Sequence, residues 1–374
     1  MGDTRFVTIL GTRPEIIKLS PIIRKFGDDN VPNAVIHTGQ HYSENLDAVF
    51  FEQLDLPPPE YNLDVGSGSH GRQTAEMLAR IEDVLADERP DAVLVQGDTN
   101  SVLAGALASA KLDVELAHVE AGLRSFDRRM PEEVNRVLTD HAADYLFAPT
   151  EQSKEYLRAE GISDDRIFVT GNTIVDAVEQ HRKLAAQRST VLDEHDLIPG
   201  EFCLMTAHRA SNVDDPGRFA CILDGVASFA EETDSDIVYP LHPRAESMLA
   251  AHDLPVPDVI RVIEPQDFLD FLRLESASAL VFTDSGGVQE EACILNTPCV
   301  TMRTATERPE TLEVNANVLV GTDPDRIRTA GEQMLSATRD WPNPFGNGTA
   351  AERIVDALLN GDDPSDGRSG GTRP

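Results

Sequence analysis

At 374 residues the chain exceeds one ordinary hydrophobic core and suits two domains of about 150 to 180 residues each. Acidic residues outnumber basic ones 65 to 32, a formal net charge of -33 that speaks against nucleic acid and anionic membranes as partners. No run approaches the roughly 18 to 20 apolar residues of a membrane span. The chain also passes from Met1 into a strand pattern without a secretory n-region, so a cytoplasmic location is expected.

Short β-branched runs alternate with helix-period segments from end to end, the pattern of α/β proteins with parallel sheets covered by helices. Strands are predicted at 6–10, 34–38, 92–95, 116–119, 145–148 and 167–170, nearly all followed by helices. The polar stretch 187–200 interrupts the pattern, which restarts with strands at 202–206, 237–240, 259–262, 279–283, 299–302 and 317–320. This implies two doubly wound domains, 1–172 and 173–348, with the helix from Ile174 connecting them. A last helix at 349–359 comes after Pro342, Pro344 and Gly346 and is expected to pack back on the first domain. The tail 362–374 is rich in Gly, Ser, Pro and Asp and is expected to be disordered. Cys203, Cys221, Cys293 and Cys299 show no CxxC pairing, which points to reduced buried thiols and to no metal site.

Ligands of open parallel sheets sit outside the carboxyl ends of the strands, so the residues after each strand carry the chemistry. After the first strand comes GTRPEIIK, in which Thr12 and Glu15 have capping-box spacing and Pro14 suits a first helical turn. Arg13 and Lys18 beside that helix N-terminus make an anion site suited to a diphosphate, although an ordinary cap with solvated cations reads equally well. Asp98 in QGDTN precedes a helix, and the common reading is an N-cap. Glu120 stands at a strand end in EAGLRS, and Glu132 lies in the first turn of a helix begun by Pro131, where acids are favoured by the helix dipole alone. Three carboxylates at one sheet edge nevertheless suit proton abstraction and return, because clustered carboxylates raise one another's pKa.

In the second half, His208 and Arg209 follow a strand in AHRAS. His208 is either a structural hydrogen-bonder or an acid and charge stabiliser for a leaving nucleotide. In TDSGGVQEEA, Ser285, Gly286 and Gly287 open a helix where backbone amides can close on phosphate oxygens, and Glu291 is placed to accept two ribose hydroxyls. Arg308 in TERPE is a further diphosphate cation. Gln266 and Phe271 in PQDFLDF offer an amide and an aromatic face to a base, Phe271 being otherwise core. Gly66, Gly68 and Gly71 satisfy GxGxxG, the dinucleotide fingerprint, but the preceding segment is short and polar and lies mid-domain, so a mobile loop is preferred to NAD binding.

GTRPEIIK, QGDTN, HVEAGLRS, MPEEVNR, TDSGGVQEEA and TERPE, in this order from Gly11 to Glu310, resemble the non-hydrolysing UDP-N-acetylglucosamine 2-epimerases. The resemblance implies two Rossmann-like domains facing a cleft, as in GT-B glycosyltransferases, and a homodimer needing neither metal nor NAD as cofactor. It implies a diphosphate held by Arg13, Lys18, Arg308, Ser285, Gly286 and Gly287, and uridine held by Gln266, Phe271 and Glu291. Asp98, Glu120, Glu132 and His208 would then surround the sugar. The implied reaction interconverts UDP-N-acetylglucosamine and UDP-N-acetylmannosamine by elimination of UDP to a 2-acetamidoglucal and re-addition. Ala207, Ala210 and Ser211 replace larger or polar residues common in the family, and Asn315 stands where a glycine is usual. Gln40 and His41 match part of a region that binds a second substrate molecule in many bacterial members, but the residues after them differ. The alternatives are a hydrolysing epimerase, a GT-B transferase, a sister epimerase for a 2,3-diacetamido uronic acid nucleotide and a non-catalytic nucleotide-sugar sensor.

The charge sets a working condition. Basic residues are nearly all Arg, and the composition resembles that of salt-adapted proteins. At about 1 M salt the Debye length falls to about 3 Å and self-repulsion is screened. Melting temperature and turnover are expected to rise from dilute buffer to molar salt; full stability in dilute buffer would contradict this.

Overall fold

The computed structural model describes residues 5–39 and 50–360; Gln40, His41 and the tail 362–374 lie outside the described residues. Each predicted strand is present, shifted by at most one or two residues at an end. β1 (Phe6–Leu10), β2 (Asn33–His37), β3 (Tyr61–Asn62), β4 (Ala92–Gln96), β5 (Glu115–Val119), β6 (Tyr145–Ala148) and β7 (Ile167–Val169) form one sheet, ordered β3-β2-β1-β4-β5-β6-β7. β8 (Phe202–Thr206), β9 (Asp236–Pro240), β10 (Ile260–Ile263), β11 (Leu280–Thr283), β12 (Cys299–Thr301) and β13 (Asn317–Leu319) form a second, ordered β10-β9-β8-β11-β12-β13. Every pairing is parallel. Only β3 escaped the sequence reading, since two residues carry no period.

Both faces of a parallel sheet are covered, so its strands read as continuous apolar runs. In β8 the alternation is plain: Cys203 and Met205 join one buried cluster with Phe229, Tyr239 and Phe282, while Phe202 and Leu204 join another with Val238, Val281 and Cys299. In the first sheet Val7, Ile9, Val93 and Val95 share a core with Met77, Ile81 and Leu85 of the helix His70–Glu88. On its other face Phe6 stacks on Phe26 at 4.9 Å. The helix Pro216–Thr233 packs on Pro324–Leu335 so closely that a Cβ at Gly225 would lie 2.9 Å from Ile327 Cβ and from the Pro324 backbone. Cys203, Cys293 and Cys299 are buried free thiols and Cys221 is half-buried; burial pushes Cys203 and Cys293 up to about 12.

The chain divides into two compact units, Met1–Ala177 with Phe345–Pro374, and Val178–Pro344. The division falls inside the helix Thr173–Arg188, about one turn beyond Asn172. The chain rejoins the first unit where Asn172 N–H donates to Phe345 O at 2.9 Å, and Asp176 accepts from the amides of Ala350 and Ala351 (3.2 and 3.1 Å), capping the helix Ala350–Asn360. Among the described residues no helix is long and apolar enough to cross a membrane.

In each sheet the strand order reverses once. β1 sits between β2 and β4, and β8 between β9 and β11. Connections leave such a switch point toward opposite sides and open a crevice at the carboxyl ends of the two central strands. The GxGxxG match is elsewhere: Gly66 follows the edge strand β3, and Gly71 is in the first turn of His70–Glu88. A Cβ at Gly71 would meet nothing within 4 Å, so the close packing that the third glycine of a dinucleotide fingerprint serves is not needed there.

Candidate functional site

In the first unit the switch point brings the loop after β1 against the loop after β4. Gly11 is required, because a Cβ there would lie 2.1 Å from Thr38 Oγ1 and 2.2 Å from Ser101 Oγ. The capping box expected at Thr12 and Glu15 takes a different form. Thr12 is the N-cap of the helix Arg13–Asp28 but its hydroxyl accepts no cap bond. Instead the Glu15 carboxyl accepts from Gly11 N–H (2.9 Å), Thr12 Oγ1 (2.9 Å) and Thr99 Oγ1 (2.7 Å), tying β1's loop to β4's. Burial raises Glu15 to about 7, outweighing the lowering by these donors.

Asp98 is not the N-cap. Thr99 takes that position on the helix Asn100–Leu112, accepting from Val102 N–H, and Asp98 is left to pair with the Arg136 guanidinium. Arg136 also meets Glu133 at 3.1 Å, and Asn135 Nδ2 donates to Asp98 O at 2.9 Å, so the helix Pro131–Ala142 fixes Asp98. The two neighbouring acids of that helix differ in kind. Glu133 is buried and accepts from the Ser125 and Phe126 amides (each 2.9 Å), which with Arg136 hold it below its ordinary value despite burial; Glu132 is exposed on the first turn.

Glu120 directly follows β5 with a left-handed backbone, φ 69°, sparsely populated for a non-glycine residue. Its buried carboxyl accepts from Lys18 Nζ at 2.7 and 2.9 Å, from Gln96 Nε2 and from Asn172 Nδ2 at 3.2 Å. A Cβ at Gly97 would stand 3.9 Å from Glu120 Oε2, which puts this carboxyl beside the loop that carries Asp98. Lys18, expected on a diphosphate, thus reaches Glu120. Arg13 is exposed, its guanidinium 5.8 Å from the Phe50 ring centroid. Beneath the loop, His118 is buried between Asp140 Oδ1 (2.7 Å) and Gly97 O (2.8 Å), and Arg124 meets Asp140 at 2.7 Å. Asp140 stays below the ordinary carboxylate range although burial opposes this, because His118 and Arg124 flank it.

In the second unit Asp284, between β11 and Ser285, organises the switch point. Its buried carboxyl accepts from the amides of His208 (3.1 Å) and Arg209 (3.0 Å) and from Asn212 Nδ2 (3.1 Å), and lies 3.3 Å from His208 Nδ1. His208 is half-buried, its ring 5.2 Å from that of His242. Burial and the neighbouring His208 hold His242 below an ordinary histidine. Ser285 is the extended N-cap of Gly286–Ile294 and makes no side-chain cap bond, leaving its first turn suited to an anion. A Cβ at Gly286 would lie 3.7 Å from both Arg209 and Glu307. Arg308 meets buried Glu290 at 2.8 Å, and Thr306 donates to Gln289 at 2.6 Å. Gln266 donates to Glu264 O at 2.8 Å, Phe271 is half-buried against the core and Glu291 is half-buried on its helix. Asn315 has φ 60°, a left-handed position that glycine favours and asparagine tolerates.

The model of the UDP-N-acetylglucosamine 2-epimerase family matches residues 25–359. The chain belongs to this family. It is 54% identical over 359 residues to the UDP-N-acetylglucosamine 2-epimerase of Methanocaldococcus jannaschii, covering 94% of this chain and 98% of that one. The crystal structure of that archaeal enzyme in complex with UDP-GlcNAc and UDP superposes with a TM-score of 0.84 over 95% of this chain and 99% of the other. The UDP-2,3-diacetamido-2,3-dideoxy-D-glucuronate 2-epimerase of Pseudomonas aeruginosa is 42% identical, over 95% of this chain and 99% of its own length. The fold is that of the family, two parallel α/β sheets with GT-B-like topology.

Seen against the family motifs, sequence reasoning missed Gln96, Arg136, Asn172 and Asp284. Asp284 stood inside TDSGG, a carboxylate between a buried strand and a helix start, and that was a usable signal. Gln96, Arg136 and Asn172 meet their partners across 24, 38 and 52 residues and carried none.

Glu15 gives a pH signature. Its carboxyl keeps a proton in the folded chain up to about 7, against an ordinary 4.5, so the folded state binds more protons in this window and stability falls as pH rises. The unfolding free energy of the native chain minus that of Glu15→Gln is expected to fall between pH 4.5 and 7, by about 1.4 kcal/mol for each unit of pKa difference, and to be flat on either side. A pH-independent difference in denaturant titrations would contradict it.

Proposed function

We propose that the chain interconverts UDP-N-acetylglucosamine and UDP-N-acetylmannosamine without releasing the free sugar. The observation that carries this reading is the pair of carboxyls, Asp98 and Glu120, after the neighbouring strands β4 and β5 beside a topological switch point, in a chain matching the M. jannaschii epimerase nearly end to end. Uridine binding alone requires neither carboxyl, which argues against a non-catalytic sensor.

The chemistry has two halves. In the first, a carboxylate removes the proton on carbon 2, the bond from carbon 1 to the diphosphate oxygen breaks, and UDP leaves with the electron pair, giving a 2-acetamidoglucal. In the second, a carboxylic acid delivers a proton to the opposite face of carbon 2 and the UDP oxygen returns to carbon 1. Asp98, Glu120 and Glu132 are the groups for these transfers. Glu120 is poised by its Lys18, Gln96 and Asn172 contacts, Asp98 by Arg136, and exposed Glu132 is the acid with the greatest access to solvent. His208, set by Asp284, stabilises the departing diphosphate charge together with Arg13, Lys18, Arg308 and the amides of Ser285, Gly286 and Gly287. Gln266 and Phe271 hold the base, and Glu291 accepts from the ribose hydroxyls.

The similarity to the P. aeruginosa enzyme favours one second reading, a sister activity on a diacetamido uronic acid nucleotide. Incubation with UDP-N-acetylglucosamine in heavy water, followed by proton NMR, separates the readings. A second UDP-sugar at equilibrium, carrying deuterium at carbon 2, is expected. Asp98→Asn, Glu120→Gln and Glu132→Gln should each lose well over about tenfold in turnover while still binding UDP. Free N-acetylmannosamine as product, or an inert substrate beside turnover of the uronic acid nucleotide, would overturn the proposal.

A further inference from the structure

His118 lies in β5 and Asp140 on the helix Pro131–Ala142, both at 0% exposure. They meet at 2.7 Å, through His118 Nδ1 and Asp140 Oδ1. Each also reaches one of the two loops that carry the proposed proton-transfer groups. Gly97 O accepts from His118 Nε2 at 2.8 Å, and Gly97 immediately precedes Asp98. Asp140 Oδ2 accepts from Gly122 N–H at 3.2 Å, and Gly122 stands two residues after Glu120. Arg124 completes the enclosure, 2.7 Å from Asp140 and joined through Nε and Nη2 to Glu160 at 2.8 and 2.7 Å.

Both loops bend sharply. Gly97 (φ 83°), Glu120 (φ 69°) and Gly122 (φ 82°) all have left-handed backbones, and a Cβ at Gly122 would lie 2.5 Å from Ser153 O. Gly97 N–H is tied to Val119 O at 3.1 Å, so His118 fixes the next peptide, the one that joins Gly97 to Asp98. Asp98 is thereby held from one helix at three points: Arg136 on its carboxyl, Asn135 on its carbonyl at 2.9 Å, and Asp140, through His118, on the peptide before it. Arg136 and Asp140 are neighbours one turn apart on that helix, and Asp140 alone of the three also holds the loop of Glu120. Inversion at one carbon takes a proton from one face and returns one to the other, which requires two carboxyls at a fixed separation. A buried ionisable pair is often no better for stability than apolar groups of the same volume, so fixed geometry is what this pair supplies.

We propose that His118 and Asp140 are positioning residues: this one buried pair sets the separation of the Asp98 and Glu120 carboxyls by holding Gly97 O and Gly122 N–H. This rests on the reading of Asp98 and Glu120 as proton-transfer groups. Neither His118 nor Asp140 has access to a ligand, so turnover depends on them through the two loops alone.

The test measures kcat of the full chain on UDP-N-acetylglucosamine together with the calorimetric affinity and stoichiometry of UDP binding. His118→Phe fills the space without a donor, His118→Asn puts its amide near the former Nδ1, and His118→Gln puts its amide near the former Nε2. The Phe and Asn variants should lose at least about tenfold in kcat, with UDP affinity within about twofold of native, because misplacing a reacting group by about 1 Å costs on the order of a hundredfold. His118→Gln, which can still donate to Gly97 O, should recover most of that loss. A merely structural role would lower the melting temperature or the UDP stoichiometry while leaving kcat per binding-competent molecule unchanged and would show no donor-dependent rescue; that result would overturn the proposal. If the His118 variants do not bind UDP, Asp140→Asn decides: similar in shape but with one oxygen fewer to accept, it should lose at least about threefold in kcat with UDP affinity kept, and native kcat would overturn the proposal. Asp98→Asn and Glu120→Gln test the underlying reading separately. If both keep near-native kcat, that reading fails and the proposal falls with it; if they lose turnover while His118→Phe does not, the proposal alone fails.

Discussion

The first unit depends on how it buries the charge of Glu120. A carboxylate at a strand end, on a left-handed backbone, is stable only if cations and amides converge on it. Here they come from three parts of the chain: Lys18 on the first helix, Gln96 at the end of β4 and Asn172 after β7. The knot therefore fixes the carboxyl ends of the central strands relative to one another. Removing a single partner leaves a buried charge poorly met, whereas the complete set holds Glu120 in one orientation at the switch point. The same logic recurs in the second unit, where Asp284 is buried against two backbone amides and an asparagine and so sets the backbone of His208.

These arrangements separate holding groups from the groups proposed to react. Glu133, Asp140 and Asp284 are buried and saturated with donors, and they shape loops. Asp98, Glu132 and His208 keep partial or full exposure. In a chain with 65 acidic residues, exposure alone marks nothing. What marks Asp98 and Glu120 is exposure or burial at a strand end that topology makes a crevice, combined with a specific partner.

Much of the architecture was legible in the sequence because parallel strands buried on both faces announce themselves as apolar runs, and glycines and helix starts after them mark where a ligand meets the sheet. Phe202–Thr206 followed by His208, and Leu280–Thr283 followed by Ser285, are of this kind. Three readings needed the structure. Asp98 looked like an N-cap, but one residue decided otherwise, since Thr99 caps the helix and Asp98 pairs with Arg136. Thr12 and Glu15 had the spacing of a capping box, yet Glu15 turned to Thr99 of another loop, 84 residues away. Lys18, the expected diphosphate cation, also reaches Glu120, 102 residues on, a partner invisible in local spacing. Local periodicity encodes elements; it does not encode which side chains meet across them.

The central claim is that the bond from carbon 1 to the diphosphate breaks and re-forms while UDP stays bound. Its most direct test uses UDP-N-acetylglucosamine labelled with heavy oxygen at the position bridging carbon 1 and the β-phosphorus. A freed β-phosphate rotates, so the account predicts that label appears in non-bridging β-phosphate positions of recovered substrate and product as epimerisation proceeds. Epimer formed with the label wholly retained in the bridge would contradict it.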